Sequence, residues 1–375
     1  MDVAVIGGGL AGCAAAITLA QQGRQVALIE AKTYPHHKVC GEFLSPECAV
    51  LFEALGFPFP SLQPIAIRTA HITAPNGTSW TARFPEPAWG ISRYALDAAL
   101  ADHARRCGVM VYEGVSVHEM QGNLDDGFTL DLRSRLGTSQ LQARAVIGAH
   151  GKRSTLDRAL ERDFLNTPQP YIGLKNHFRG ARLHDHIHLY AFAGGYCGMS
   201  EVEGGLVNVC LLVRQELFQQ AGGDIPRFIA WMKRQNPRLG AWLDHAEPVY
   251  EKWLSISQIA FSRKPLIEQD VLMTGDAAGL IAPLAGNGMA MALCGGRLAA
   301  QWADRFLAGE ISAAALKAGY PQTWQRQFST RLRLGSFLQT LMLRPSLITA
   351  GLRLAKAIPP VGSAMLTYTR QKGLA

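Results

Sequence analysis

The hydrophobic positions of this chain change period along its length, and the changes divide it. Residues 2–6 form a short apolar run, which predicts a buried strand. Residues 13–22 are Ala-rich and helical in character until Gly23, and residues 25–29 give a second apolar run that ends at Glu30. Helical spacing returns over 46–56, with Val50, Leu51 and Leu55, before Pro58, Pro60 and Pro64 break it. Residues 65–73 and 78–84 alternate around Pro75-Asn76-Gly77, a hairpin signature. A helix is predicted over 91–107 and a strand over 109–112. Short strands follow at 115–120, 128–132 and 141–143, with turns at Gly122-Asn123 and Asp125-Asp126-Gly127. A buried strand covers 145–149, and residues 171–178, 186–192, 197–202 and 206–213 then read as strands separated by glycine turns. A helix at 226–234, a buried strand at 271–274 and a long helix over 289–307 complete the pattern.

The first 30 residues carry a specific chemistry. The order is strand, Gly7-x-Gly9-x-x-Gly12, helix, strand, acid. Gly7 permits a tight turn, Gly9 lets the backbone approach a pyrophosphate, and Gly12 lets the helix pack on the strand. The free N–H groups of the helix start then face the phosphates. Glu30 stands 18 residues after Gly12, near the spacing of an acid that accepts from ribose hydroxyls. These features predict a dinucleotide site and leave NAD and FAD both open.

A second glycine-rich turn follows the strand at 271–274. It reads Gly275-Asp276-Ala277-Ala278-Gly279, then Gly286-Asn287-Gly288-Met289 at the start of the long helix. Asp276 is placed to accept from a ribityl or ribose hydroxyl. The backbone from Gly286 through Met289 can approach a ring that gathers negative charge.

The fold class expected is α/β. A Rossmann-like nucleotide domain is assembled from residues 1–64, 92–165 and 265–310; a β-sheet substrate domain at 65–91 and 166–264 is inserted into it; and a helical region covers 311–375.

Composition narrows the setting. A chain of 375 residues with 48% hydrophobic and 18% charged residues has ample material for a globular core. Seven cysteines, an odd number without a Cys-x-x-Cys pair, suit a reducing cytoplasm. Asp2 and the glycines argue against a secretory signal, and no uncharged apolar stretch of about 20 residues predicts a membrane span.

The net charge of +8 is uneven: residues 311–375 hold nine cations and no acid, which leaves −1 on residues 1–310 (8 − 9). The cations are Lys317, Arg326, Arg331, Arg333, Arg344, Arg353, Lys356, Arg370 and Lys372, among leucine-rich helical stretches. From residue 331 onward such a face suits anionic lipid headgroups at the inner membrane surface; a helical lid on the protein's own core is the other reading. A nucleic-acid groove is disfavoured, because the segment is Leu-rich rather than polar with spaced aromatics.

Together these motifs resemble the flavoprotein superfamily of p-hydroxybenzoate hydroxylase, and most its geranylgeranyl reductase-like branch. The matching residues are Gly7-x-Gly9-x-x-Gly12 with Glu30, Lys38-Val39-Cys40-Gly41-Glu42, Arg93-x-x-Leu96-Asp97-x-x-Leu100 and Gly194-Gly195-Tyr196-x-Gly198. To these are added Gly275-Asp276-Ala277-Ala278-Gly279 and Pro283-x-x-Gly286-x-Gly288. The resemblance implies FAD as cofactor, with NAD(P)H as a candidate electron donor. Gly7, Gly9, Leu10, Ala11 and Gly12 would cradle the pyrophosphate, and Glu30 with Ala31 the adenosine ribose. Arg93 would sit near the pyrophosphate and ribityl chain, and Val117 would touch adenine through its backbone. Gly275 and Asp276 would hold the ribityl side, and Gly286, Asn287, Gly288 and Met289 the isoalloxazine. Cys40 and Gly41 would lie beside the ring, with Cys40 either the proton donor or a small residue packed under the flavin.

One position departs from the superfamily pattern. After Gly148-Ala149 the usual acid is replaced by His150, which puts hydroxylase-style hydride delivery in doubt. The function expected is an FAD-dependent oxidoreductase acting on a hydrophobic prenyl or polyketide-like substrate by hydride transfer at a carbon–carbon bond. A monooxygenase using NAD(P)H and oxygen, and a non-catalytic prenyl-binding escort, are the alternatives. His184, His186 and His188 fall on one strand face by alternation, but no fourth ligand is evident and no metal is expected.

Overall fold

The tight turn after the first strand lets a helix lie back across a parallel sheet, and the rest of the fold is built outward from that pair. The computed structural model describes residues 1–167, 170–259, 261, 264–280 and 286–358. The chain begins β1 (Val3–Ile6), α1 (Leu10–Gln21), β2 (Val26–Glu30), β3 (Phe43–Leu44), α2 (Glu47–Ala54), β4 (Ile65–Thr73), β5 (Ser79–Gly90), α3 (Arg93–Arg106) and β6 (Met110–Glu113). It continues with β7 (Ser116–Asn123), β8 (Gly127–Ser134), β9 (Gly137–Ala143), β10 (Ala145–Gly148), α4 (Thr155–Ala159), β11 (Tyr171–Arg179), β12 (His186–Phe192), β13 (Gly195–Val202) and β14 (Leu206–Arg214). Then come α5 (Gln215–Gln220), α6 (Ile225–Gln235), α7 (Pro237–Asp244), β15 (Glu247–Pro248), β16 (Leu254–Ile259), β17 (Ile267–Glu268) and β18 (Val271–Met273). Three helices close the described chain: α8 (Gly288–Leu307), α9 (Ala313–Met342) and α10 (Pro345–Ala357).

Strands from three separated stretches form the first sheet, in the order β17-β18-β10-β1-β2-β6. All neighbours are parallel except β17 and β18. Such strands are covered on both faces, which is why β1, β2, β10 and β18 are buried at every position. The small residues of α1 let α8 come close: a Cβ on Gly296 would collide with the Ala11 carbonyl. The carboxyl ends of β1, β10 and β18 therefore line one edge, where open α/β sheets bind ligands. The strands β7, β8 and β9 form a separate antiparallel sheet.

The second sheet runs β15-β11-β14-β13-β12-β4-β5-β3, with β16 also paired to β11. Alternation gives it two faces. Leu174, Phe178, Val209, Leu211 and Cys197 pack against Phe228, Met232 and Leu239 of α6 and α7. The sequence pattern did not predict α7, because Pro237 falls where a helix would be expected to stop. Here it opens one instead, and the Asn236 side chain accepts from the Leu239 N–H as its cap. The opposite face carries Tyr196 and Leu212 and is roofed by Met342, Leu343, Ile348 and Leu352. The end of α9 and α10 are thus a lid on this sheet. No helix among the described residues is long and apolar enough to cross a membrane.

Candidate active site

The turn between β1 and α1 shows why its glycines are there. Gly7 has φ 106°, and a Cβ on it would meet the Ala149 carbonyl oxygen at 2.5 Å. A Cβ on Gly12 would collide with the Gly7 carbonyl oxygen, so the helix could not close on the strand. Gly8, to which the sequence assigned no role, is also crowded: the Tyr34 hydroxyl donates to its carbonyl and occupies the space a Cβ would need. Glu30 sits beneath, accepting from the Gly8 N–H at 2.8 Å and the Lys32 N–H at 2.9 Å. Gly9 caps α1 without a side-chain acceptor, which leaves the first N–H groups of the helix unclaimed by a capping side chain.

Two cations hang over that helix start. Arg93 Nη2 and Lys38 Nζ stand 3.5 and 3.6 Å from where a Gly9 Cβ would be. Asp97, one turn along α3, aims both: it accepts from Arg93 at 2.6 and 2.7 Å and pairs with Lys38 at 2.9 Å. Burial alone would raise the Asp97 carboxyl, but Arg93 and Lys38 outweigh it and bring it down to about 2. Burial likewise opposes the Arg93 charge, and Asp97 overrides it, with Cys40 also contributing, so the guanidinium is held above its ordinary range. Two cations against one carboxylate, over a free helix N-terminus, are a donor set fitted to a pyrophosphate.

The second glycine turn meets the first. Gly275, at φ 60°, packs against the Ala11 side chain, and Gly286, at φ 66°, lies on the Phe43 ring. Asn287 precedes α8, whose first residues are Gly288 and Met289. Cys40 Sγ stands 4.0 Å from the Met289 sulfur, so the 38–42 loop and the start of α8 come together beside Arg93. The loop is held from the second sheet: Asn208 donates to the Cys40 carbonyl at 3.1 Å, and Ser200 to the Gly41 carbonyl at 3.4 Å. Ser200 pairs with Asn208, Gly198 with Cys210 and Tyr196 with Leu212 across β13 and β14. One face thus runs from polar side chains at Cys40 to apolar ones under the α10 lid.

Residues 1–174 match the family described as an FAD binding domain. The chain is an FAD-dependent oxidoreductase. This flavoprotein is similar to menaquinone reductase of Mycolicibacterium smegmatis, 27% identical over 320 residues, covering 80% of this chain and 75% of that protein. It is also similar to digeranylgeranylglycerophospholipid reductase of Methanosarcina mazei, 26% identical over 345 residues, covering 86% and 80% of the two chains. The solved structure of a flavin-dependent brominase shares the fold, with TM-score 0.83, 15% identity and coverage of 98% and 92%. The reductase relatives thus agree with the expected resemblance to the p-hydroxybenzoate hydroxylase superfamily and its geranylgeranyl reductase-like branch, and the brominase shows that the fold is shared.

Other expected residues of the flavoprotein fall as follows. The side chains of Leu10 and Ala11 are buried, that of Ala11 against Gly275, and the Ala11 backbone packs on Gly296 of α8. Ala31 is exposed just past β2. Val117 is buried, and its carbonyl accepts a long bond from Thr155 at 3.5 Å. His150 pairs with Asp157 at 2.9 Å, and Asp157 is also tied to the buried Arg162 at 3.0 Å, so an acid does lie near but is fully engaged.

Three features correct the sequence reading. His184 lies before β12 in a left-handed turn, φ 56°, not on the strand face with His186 and His188. The third imidazole there is His71 of β4, 5.1 Å from His188, and no described group has metal-holding geometry. Arg331, counted with the cationic face of the tail, is buried 3.5 Å from Glu47. Pro283, Arg370 and Lys372 lie outside the described residues.

Proposed function

We propose that this oxidoreductase saturates a carbon–carbon double bond in a hydrophobic, lipid-like substrate such as a prenyl chain. The observation that carries the reading is the position of Cys40, at the meeting point of both glycine turns and facing a sheet that becomes apolar away from it. Gly7, Gly9 and Gly12, with Arg93 and Lys38, would hold the FAD pyrophosphate; Glu30 the adenosine ribose; Asp276 the ribityl chain; and the backbone of residues 286–289 the ring. Reduced FAD is a hydride source, and that hydride plus one proton saturates an alkene. Cys40 supplies the proton from its thiol and regains it from solvent, while Tyr196 and Leu212 align an apolar chain and exclude water. NAD(P)H is the proposed source of electrons. The named relatives that act on isoprenoid quinones and lipids support this substrate class.

A membrane surface is the proposed source of that substrate. Phe337, Leu347, Leu354 and Ile358 are 58, 37, 49 and 45% exposed on the lid helices and just beyond, beside exposed Arg333, Arg344, Arg353 and Lys356. Apolar side chains among cations suit an anionic lipid leaflet.

The test is anaerobic. Photoreduced, FAD-loaded protein is mixed with an isoprenoid lipid, and the flavin spectrum and product mass are followed. Reoxidation with a gain of two hydrogens is expected. Failure to reoxidise without oxygen, combined with oxygen-dependent hydroxylation of an aromatic, would replace this reading by a monooxygenase.

A further inference from the structure

One carboxylate ties the Cys40 loop to the rest of the site. Glu42 is fully buried and sits at φ 53°, a region such a side chain occupies only when its surroundings impose it. Its Oε1 accepts from the Arg93 backbone N–H at 2.8 Å and from the Lys175 ammonium. Its Oε2 meets His177 Nε2 at 2.7 Å. Its own N–H points at the Cys40 sulfur, 3.4 Å away, and its carbonyl accepts from Ile91 at 3.3 Å. Lys175 also donates to the Lys38 carbonyl at 3.3 Å. Four elements therefore converge on Glu42: the loop itself, the strand–helix junction before α3, the start of α3, and β11.

Stability does not explain this arrangement. A buried carboxylate with a buried ammonium pays a desolvation penalty that apolar side chains of the same size would avoid. What the charges give is direction. Each oxygen has a fixed partner on a different element, so the loop has one position relative to Arg93 and one relative to β11. Lys175 pairs with Cys210, and His177 with Asn208, across to β14, which places both on the face that carries Asn208 and Leu212. We propose that Glu42 is a positioning residue. It sets the Cys40 thiol against Arg93 and the start of α8, while Lys175 and His177 lock that thiol to the sheet that grips the substrate. The proposal rests on the functional reading above for what the thiol does, not for where it is held.

The experiment uses the full chain as wild type, Glu42→Gln and the double variant Glu42→Gln/Lys175→Met, each with and without FAD. The readout is the rate of Cys40 alkylation by iodoacetamide, resolved by peptide mass from Cys107 and Cys210, the other cysteines that are not fully buried. Thermal unfolding is measured alongside. The single variant loses stability, because it weakens the partner of a buried ammonium, and the double variant regains it. If Glu42 positions the thiol, Cys40 reacts on the order of tenfold faster in both variants, with or without recovered stability. A double variant whose Cys40 rate stays within about twofold of wild type, or falls, overturns the proposal. Should the double variant not fold, Glu42→Asp keeps the charge and withdraws it by one methylene, and the same rise in rate is required. These rates are read without substrate, so a failure of alkene reduction leaves them standing, and unchanged rates leave the functional reading standing.

Discussion

Around Gly9 the chain leaves backbone N–H groups and two cations aimed at one point; around Glu42 it turns every donor inward on one carboxylate. The first region is left open, with a free helix start of the kind that favours an anion. The second is complete within itself. The glycine turn of the first is a short local segment set by steric tolerances, to which Lys38 and Arg93 are added from further along the chain. The second joins residues 133 and 135 positions apart and depends on both sheets being in place. In the proposed reading such a site separates two tasks: the near region would hold the cofactor, and the far one would fix what faces it.

The largest effect on flavin content is expected at Gly12. In Gly12→Val the new side chain collides with the Gly7 carbonyl, and the clash cannot be relieved without opening α1 from β1. Overpacking of this kind costs about 3 kcal/mol, and it displaces the helix start proposed to face the phosphates. Protein purified with excess FAD should show no flavin absorption. A yellow protein of ordinary thermal stability would mean that the close approach is dispensable.

Next is the far region. Glu42→Gln weakens the partner of buried Lys175, and breaking a buried pair costs about 3–5 kcal/mol. FAD binding, measured by fluorescence quenching in the folded fraction, should change far less than stability. If affinity for FAD collapses in step with stability, the two regions are not separable.

The difference in how the regions are built explains what could be read from the sequence. The Gly7 turn was legible because its strand, glycines, helix and acid lie within 30 residues and follow local rules, although Ala149, which crowds Gly7, arrives only through the fold. The strand over 186–192 was found residue for residue for the same reason. Glu42 was seen as part of a motif but not as a hub, because its partners arrive through topology. The only local signal was a lysine and a histidine at alternate positions of β11, opposite the apolar Leu174 and Phe178. Arg331 was legible but misread. Trp324, Phe328, Arg331, Gly335, Gln339 and Met342 recur at three- and four-residue spacing and are the buried face of α9. A count of tail cations hid the one that, among the described residues, points inward.

A smaller effect is expected on the lid. Arg344, Arg353 and Lys356 are exposed, and each cation near an anionic leaflet contributes about 1 kcal/mol. Replacing all three by Gln should lower co-sedimentation with phosphatidylserine-containing vesicles by about 3 kcal/mol, roughly a hundredfold in affinity. FAD content should not change, since none of the three approaches either region. Equal sedimentation of both proteins at low salt would remove the lipid surface as a partner.

The smallest effect tests the near region without its ligand. Asp97 is 1% exposed, and its carboxyl is lowered from 3.8 to about 2 because Arg93 and Lys38 outweigh its burial. The unfolded chain binds a proton near 3.8, whereas the folded chain waits until about 2. Between those values the unfolded state holds more protons, so stability falls as pH falls. The contribution is fully present above the unfolded value and gone below the folded one. It amounts to about 2 kcal/mol. Asp97→Asn should therefore unfold at lower denaturant than wild type at pH 6, with the gap closing as pH falls toward 2. Glu42 is also held below its ordinary range, by His177 and Lys175 against its burial, so the wild-type acid transition contains both regions. The Asn variant isolates one of them: a gap that stays constant from pH 6 to pH 3 would show that Asp97 is held by packing rather than by its two cations, and the near region would then be built like the far one.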